Sequence, residues 1–95
     1  MVETEFISIY QKEYTQVQIS VRSKSDFLND LVQIDFGDDY LCIKRIGIDH
    51  TGKTYKGTSS NGRITYSTSK KNLPIGKFYI DQEDSNEDEI IIYFD

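Results

Sequence analysis

An all-β domain is what this sequence predicts, and three observations carry the prediction. Thr15, Val17, Ile19 and Val21 alternate with Gln16, Gln18, Ser20 and Arg22, a period of two that belongs to a strand with one dry and one wet face. The apolar residues are mostly Ile, Tyr, Phe and Val, which suit a pleated surface, and the chain contains no Ala, the strongest helix former. Turn residues recur at short intervals, with Asn61-Gly62 the strongest because a type I′ hairpin needs positive φ at both central positions. The expected architecture is a small antiparallel barrel or sandwich of about seven to eight short strands, with one short helix near residues 24–31.

The elements follow in order. Phe6 to Tyr10 forms a first strand, and a break at Lys12-Glu13 turns it into a hairpin with the Thr15–Arg22 strand. Ser23 to Leu31 offers a serine cap, an early acid and Phe27, Leu28 and Leu31 at helical spacing, enough for one or two turns. Val32, Ile34 and Phe36 alternate with Gln33 and Asp35 in a strand that ends at Gly37-Asp38-Asp39. Leu41 and Ile43 share a face that Ile46 and Ile48 continue one residue out of phase, which predicts a bulge or bend at Lys44-Arg45. Asp49 to Lys53 reads as a turn into a polar strand around Thr54 to Lys56. Ile64, Tyr66 and Thr68 follow the Asn-Gly turn, and Pro74, within Leu73–Ile80, is expected at a strand start or an edge. Ile90 to Phe94 is apolar on both faces, as in a central strand or one covered by a second copy.

Ninety-five residues make a single domain, 1–95, that buries roughly two thirds of its unfolded surface and has little room for a deep catalytic cavity. The Ile-, Lys- and Asn-rich, Ala-free composition also fits a low-GC genome. Cys42 is the sole cysteine, so no intrachain disulfide forms and a reducing compartment suits the chain. Met1 to Glu5 lacks the basic and apolar regions of a signal peptide, and no apolar run approaches eighteen residues. The expectation is a cytoplasmic protein with no membrane partner. No 20–50-residue repeat is present.

Several motifs match in letters only. Gly47 to Thr54 spells a P-loop, yet Tyr55-Lys56-Gly57-Thr58 cannot start the helix whose N-terminus would hold the phosphates. A plain turn is expected there. Asp35-Phe36-Gly37 spells the metal-binding triplet of kinases without the rest of that set. Cys42 and His50 are single copies of their kinds, too few for a zinc site and lacking an orienting third group for nucleophilic catalysis. No catalytic residue, metal or cofactor is assigned, and the chain reads as a binding protein rather than an enzyme.

Charge carries the functional expectation. Lys44, Arg45, Lys53, Lys56, Arg63, Lys70, Lys71 and Lys77 lie between Tyr40 and Ile80 beside one acid, Asp49, while both flanks are acidic and the net charge is −5. Two faces of opposite sign are expected, each suited to a different partner. Asp81, Glu83, Asp84, Glu87, Asp88 and Glu89 form an acidic loop without the glycine or helices of an EF-hand. Its plain reading is a solvated, mobile connection; its sharper one, with Tyr93 beside it, is a partner-binding face that imitates a nucleic-acid backbone. The leading expectation is stoichiometric association with another protein, as an inhibitor from a phage or other mobile element acting on a host nucleic-acid-handling or defence protein. The alternative is single-stranded nucleic-acid or nucleotide binding by the basic hairpin 51–71, with Lys53, Lys56, Arg63, Lys70 and Lys71 on phosphates and Tyr55 and Tyr66 stacking on bases. A homo-oligomer pairing faces of opposite sign is a third arrangement.

Overall fold

The computed structural model describes residues 5–13, 15–23, 25–47, 52–70 and 72–94. Eight strands among them form two antiparallel sheets that close a sandwich rather than a barrel. Strands β1 (Phe6–Glu13), β2 (Gln16–Arg22), β5 (Thr58–Ser60), β6 (Arg63–Thr68) and β7 (Gly76–Tyr79) build a five-stranded sheet in the order β5-β6-β2-β1-β7. Strands β3 (Val32–Phe36), β4 (Tyr40–Arg45) and β8 (Glu89–Tyr93) build a three-stranded sheet in the order β3-β4-β8.

Alternation decides which side chains meet. The register Ile7↔Val21, Ile9↔Ile19 and Ile19↔Tyr66 lines up one dry face of the larger sheet. The register Ile34↔Ile43↔Ile90 and Leu41↔Ile92 does the same on the smaller one. All of these residues are buried, and Phe27, Leu28 and Ile80 from the connections between sheets join the same core. Each fully buried Ile or Leu contributes about 1.5–3 kcal/mol relative to exposure, so this shared layer is the main attraction between the sheets.

The Asn61-Gly62 turn forms as expected, with φ of 52° and 79°, and sets Ser60 opposite Arg63. Several boundaries differ. β1 runs through Glu13, absorbing an irregularity between Gln11 and Glu13, so the chain reverses after the Lys12-Glu13 pair rather than at it. The expected helix is one 3-10 turn, Asp26–Asn29, and Ser25 makes no side-chain cap. The extended backbone of Asp30 ends it, leaving Phe27 and Leu28 buried and Leu31 exposed. β4 stops at Arg45 with an unbroken register, so no bulge lies at Lys44-Arg45; Ile48 is outside the described residues.

The polar strand expected at Thr54 to Lys56 shrinks to a single bridge. Tyr55 exchanges both backbone hydrogen bonds with Val32, at 2.8 and 2.9 Å, and the strand proper begins at Thr58. Gly57 makes this crossover close: a Cβ there would sit 2.2 Å from Ile64 Cγ2. No helix follows the P-loop letters, whose residues Ile48 to Thr51 are outside the described ones, as is the expected turn's Asp49 to Thr51. Pro74 precedes β7, an edge strand.

β8 is an edge strand, not a central one. Its open side is occupied by the acidic loop instead of another strand: Asp81 N–H donates to the Ile91 carbonyl at 2.9 Å, Ile91 N–H donates to Ser85 Oγ at 3.1 Å, and Asn86 N–H donates to the Glu89 carbonyl at 2.9 Å. The loop thus covers part of an edge that would otherwise invite pairing with another chain.

Candidate functional site

The residues of the 51–71 segment do not act as one hairpin. Tyr55 is tied to β3 at the border of the smaller sheet, whereas Thr58 to Thr68 belongs to the larger sheet. Tyr66 is fully buried and its hydroxyl donates to the Leu28 carbonyl at 2.8 Å, so it cannot stack on a base. Its alternation with Arg63 and Thr65 points it inward, and desolvation pushes its phenol above the ordinary range. Tyr55 is half-buried against the core with Lys53 Nζ 5.0 Å from its ring centroid. Lys70 lies 5.4 Å from the Phe36 ring, toward the opposite sheet, and Lys56 is exposed on the crossover. Lys71 is outside the described residues. Of the described residues expected to form one basic hairpin site, Arg63 alone is a strand residue on the wet face of the larger sheet.

That face nevertheless assembles a site. Antiparallel pairing brings Phe6, Ser8 and Tyr10 of β1 beside Gln18, Ser20 and Arg22 of β2, with Arg63, Thr65 and Ser67 of β6 on one flank and Lys77 and Tyr79 of β7 on the other. Lys12 joins them. This face carries four cations, Lys12, Arg22, Arg63 and Lys77, and among the described residues the one acid in register with it is Glu13, at the end of β1 opposite Gln16. Tyr79 is 60% and Tyr10 43% exposed, far from the buried state of a packing aromatic. Phe6 and Tyr79 meet edge to face at 6.4 Å, and Lys77 Nζ stands 4.0 Å from the Phe6 centroid and 5.4 Å from that of Tyr79. Arg63 approaches the same Phe6 ring at 6.0 Å.

The face is grooved rather than flat. Gln18 and Ser20 point outward yet are buried, and Gln18 Nε2 donates to Ser67 Oγ at 2.7 Å. They floor two shallow depressions of about 440 and 280 Å3, both walled by Tyr10. Sequence reasoning missed Phe6, Tyr10, Lys12, Arg22, Lys77 and Tyr79. The signal was present in the outward positions from Phe6 to Lys12 and from Gln16 to Arg22, which hold no acid, but the adjacency of β7 to β1 is not written in any local segment.

The opposite face is acidic. Asp35 and Glu89 flank Lys44, which forms an ion pair with Asp35 at 2.7 Å and is thereby held protonated above the usual lysine range. The acidic loop is hydrogen-bonded throughout. Asp81 Oδ1 accepts the N–H groups of Glu83 and Asp84 at 3.0 and 2.9 Å, and Asn86 Oδ1 accepts that of Asp88 at 2.8 Å. Asp88 pairs with Arg45 at 2.7 Å, and Glu89 accepts from Asn86. The Tyr93 hydroxyl donates to Asp84, and that bond, before any other influence, pushes the phenol up to about 12. Four of the loop's six carboxylates, Asp81, Asp84, Asp88 and Glu89, are therefore engaged within the protein, while Glu83 and Glu87 stand exposed.

Cys42 is buried on β4, 3.6 Å from Glu89 Oε2. Burial, then the charge of Glu89, push its thiol up to about 12, which leaves it a protonated, poor nucleophile at neutral pH. His50 is outside the described residues. Among the described residues no group of His, Cys, Asp or Glu side chains converges to hold a metal ion, and no helix is long and apolar enough to cross a membrane. No family model matches this chain, and no curated protein or solved structure is detectably similar to it.

Proposed function

We propose that this is a non-enzymatic binding protein that takes single-stranded nucleic acid across the wet face of its five-stranded sheet, in a cytoplasmic setting where Cys42 stays reduced. One observation carries the reading: that face combines exposed Tyr10 and Tyr79 with Phe6 and four cations, against a single acid in register among the described residues, Glu13 at the end of β1. Base stacking on aromatics is sequence-tolerant and contributes about 1–3 kcal/mol per base, and the cations supply the salt-dependent attraction to phosphates. The ligand is expected to run over β7, β1, β2 and β6 rather than along the 51–71 segment. A labelled oligo-dT followed by fluorescence anisotropy tests it. Saturable binding that weakens with salt, and falls about 5- to 150-fold in Tyr79→Ala, is expected. Absence of binding at low salt sinks the reading.

A second reading has an observation of its own. The hydrogen bonds that tie down the acidic loop present Glu83, Glu87 and their neighbours as a fixed acidic face, fit for stoichiometric association with a basic protein surface. An inhibitor from a phage or mobile element, directed at a nucleic-acid-handling or defence protein, would use it. Charge reversal at Glu83 and Glu87 should then abolish capture of a partner; capture that survives it removes this reading. The internal engagement of four carboxylates ranks it second.

A further inference from the structure

The β2–β6 register ends at Val21 and Ile64, and continuing it by one residue sets Arg22 across from Arg63, both on the rim of one groove. Like charges directly across a sheet repel, and neither arginine forms an ion pair with a described residue. Both line the larger groove, about 440 Å3, together with the hydroxyls of Ser20, Ser60 and Thr65 and the ring of Tyr10. Two guanidinium groups present fork-shaped donors that match phosphate oxygens, and the hydroxyls add donors that carry no charge.

We infer that Arg22 and Arg63 jointly hold a single phosphate group in this groove, so that the pair is an anion clamp. This rests on the reading of the sheet face as a nucleic-acid platform, and it fixes where the strand is anchored. A phosphate between the two arginines converts their repulsion into two attractions. The Phe6, Lys77 and Tyr79 cluster lies on the same face, and Phe6 is the cross-strand neighbour of both Arg22 and Tyr79. A base attached to the clamped phosphate would stack toward that corner. The same clamp chemistry would accept a free phosphate or a nucleotide.

Two measurements on wild type, Arg22→Gln, Arg63→Gln and the double variant decide it. In the first, the melting temperature is recorded in sodium phosphate and in sodium chloride of equal ionic strength. Phosphate should raise the wild-type value and leave all three variants unmoved, because a ligand that binds the folded state stabilises it. In chloride the variants should melt at or above the wild type, since a repulsion has been removed, which also certifies their fold. In the second, oligo-dT affinity is measured by anisotropy across salt. Each single variant should lose about tenfold, the double little more than either, and the salt slope should flatten by about 0.7, the signature of one shared phosphate. Intact oligo-dT binding in the variants, or losses that simply add, would overturn the clamp while leaving the platform standing. A phosphate effect confined to wild type with no oligo-dT binding would retain the clamp as a site for free phosphate or a nucleotide and overturn the platform. Neither response in wild type would overturn both.

Discussion

Tyr66 shows how one residue can be misassigned by its neighbours in sequence. It sits among Lys, Arg and Ser residues, yet strand parity sends it into the core, where its hydroxyl meets the Leu28 carbonyl. Tyr66→Phe should cost about 1–2 kcal/mol in a denaturant titration, because it strands that carbonyl, and should leave oligo-dT binding untouched. A loss of binding without a loss of stability would contradict the burial. Cys42 gives a residue-scale prediction in pH. Its folded thiol titrates at about 12 against an ordinary 9, so between those values the unfolded state binds fewer protons and stability falls as pH rises. The decline, up to about 1 kcal/mol per pH unit from this group, should be shallower in Cys42→Ser, as read from urea midpoints between pH 8 and 11.

The hairpins and edges carry the next scale. The Asn61-Gly62 turn was legible because its chemistry is local: two residues at positive φ set the register of β5 on β6 whatever surrounds them. Asn61→Val should cost about 1–2 kcal/mol, since a β-branched residue tolerates positive φ poorly, and Asn61→Gly should cost far less. β8 shows the opposite case. Its apolar run suggested a central strand, but the acidic loop, through Ser85 and the backbone of Asp81 and Asn86, occupies its open side. Ser85→Ala removes the partner of Ile91 N–H and should lower stability by about 1 kcal/mol while increasing self-association, measurable by sedimentation. Unchanged stability and a monomeric variant would show that this contact does not protect the edge.

At the scale of the molecule, the charge segregation visible along the chain is resolved into two faces, although the basic one is not where the linear cluster lies. Lys53, Lys56 and Lys70 scatter over the crossover and the opposite sheet border, while Lys12 and Arg22, from the acidic N-terminal third, join Arg63 and Lys77 on the platform. Faces of opposite sign on one body should attract at low ionic strength. Sedimentation at about 20 mM salt is expected to show weak self-association that disappears by about 200 mM, as screening shortens the reach of each charge. Oligo-dT, by covering the basic face, should suppress it; oligomers indifferent to both salt and oligonucleotide would assign self-association to other contacts.

Local pattern in the chain is enough to make it a β protein, to locate most of its strands, to assign the type I′ turn at Asn61-Gly62 and to deny the P-loop letters their helix. These are consequences of alternation, residue shape and backbone sterics acting within a few residues. Long-range packing is what makes the sheets a sandwich, turns Tyr66 inward, leaves β8 at an edge and gathers Phe6, Tyr10, Arg22, Arg63, Lys77 and Tyr79 on one surface. Strand order sets those outcomes. It arises from the simultaneous burial of Ile7, Ile19, Ile43 and Ile92 in one core, a contact between distant segments that no local pattern encodes.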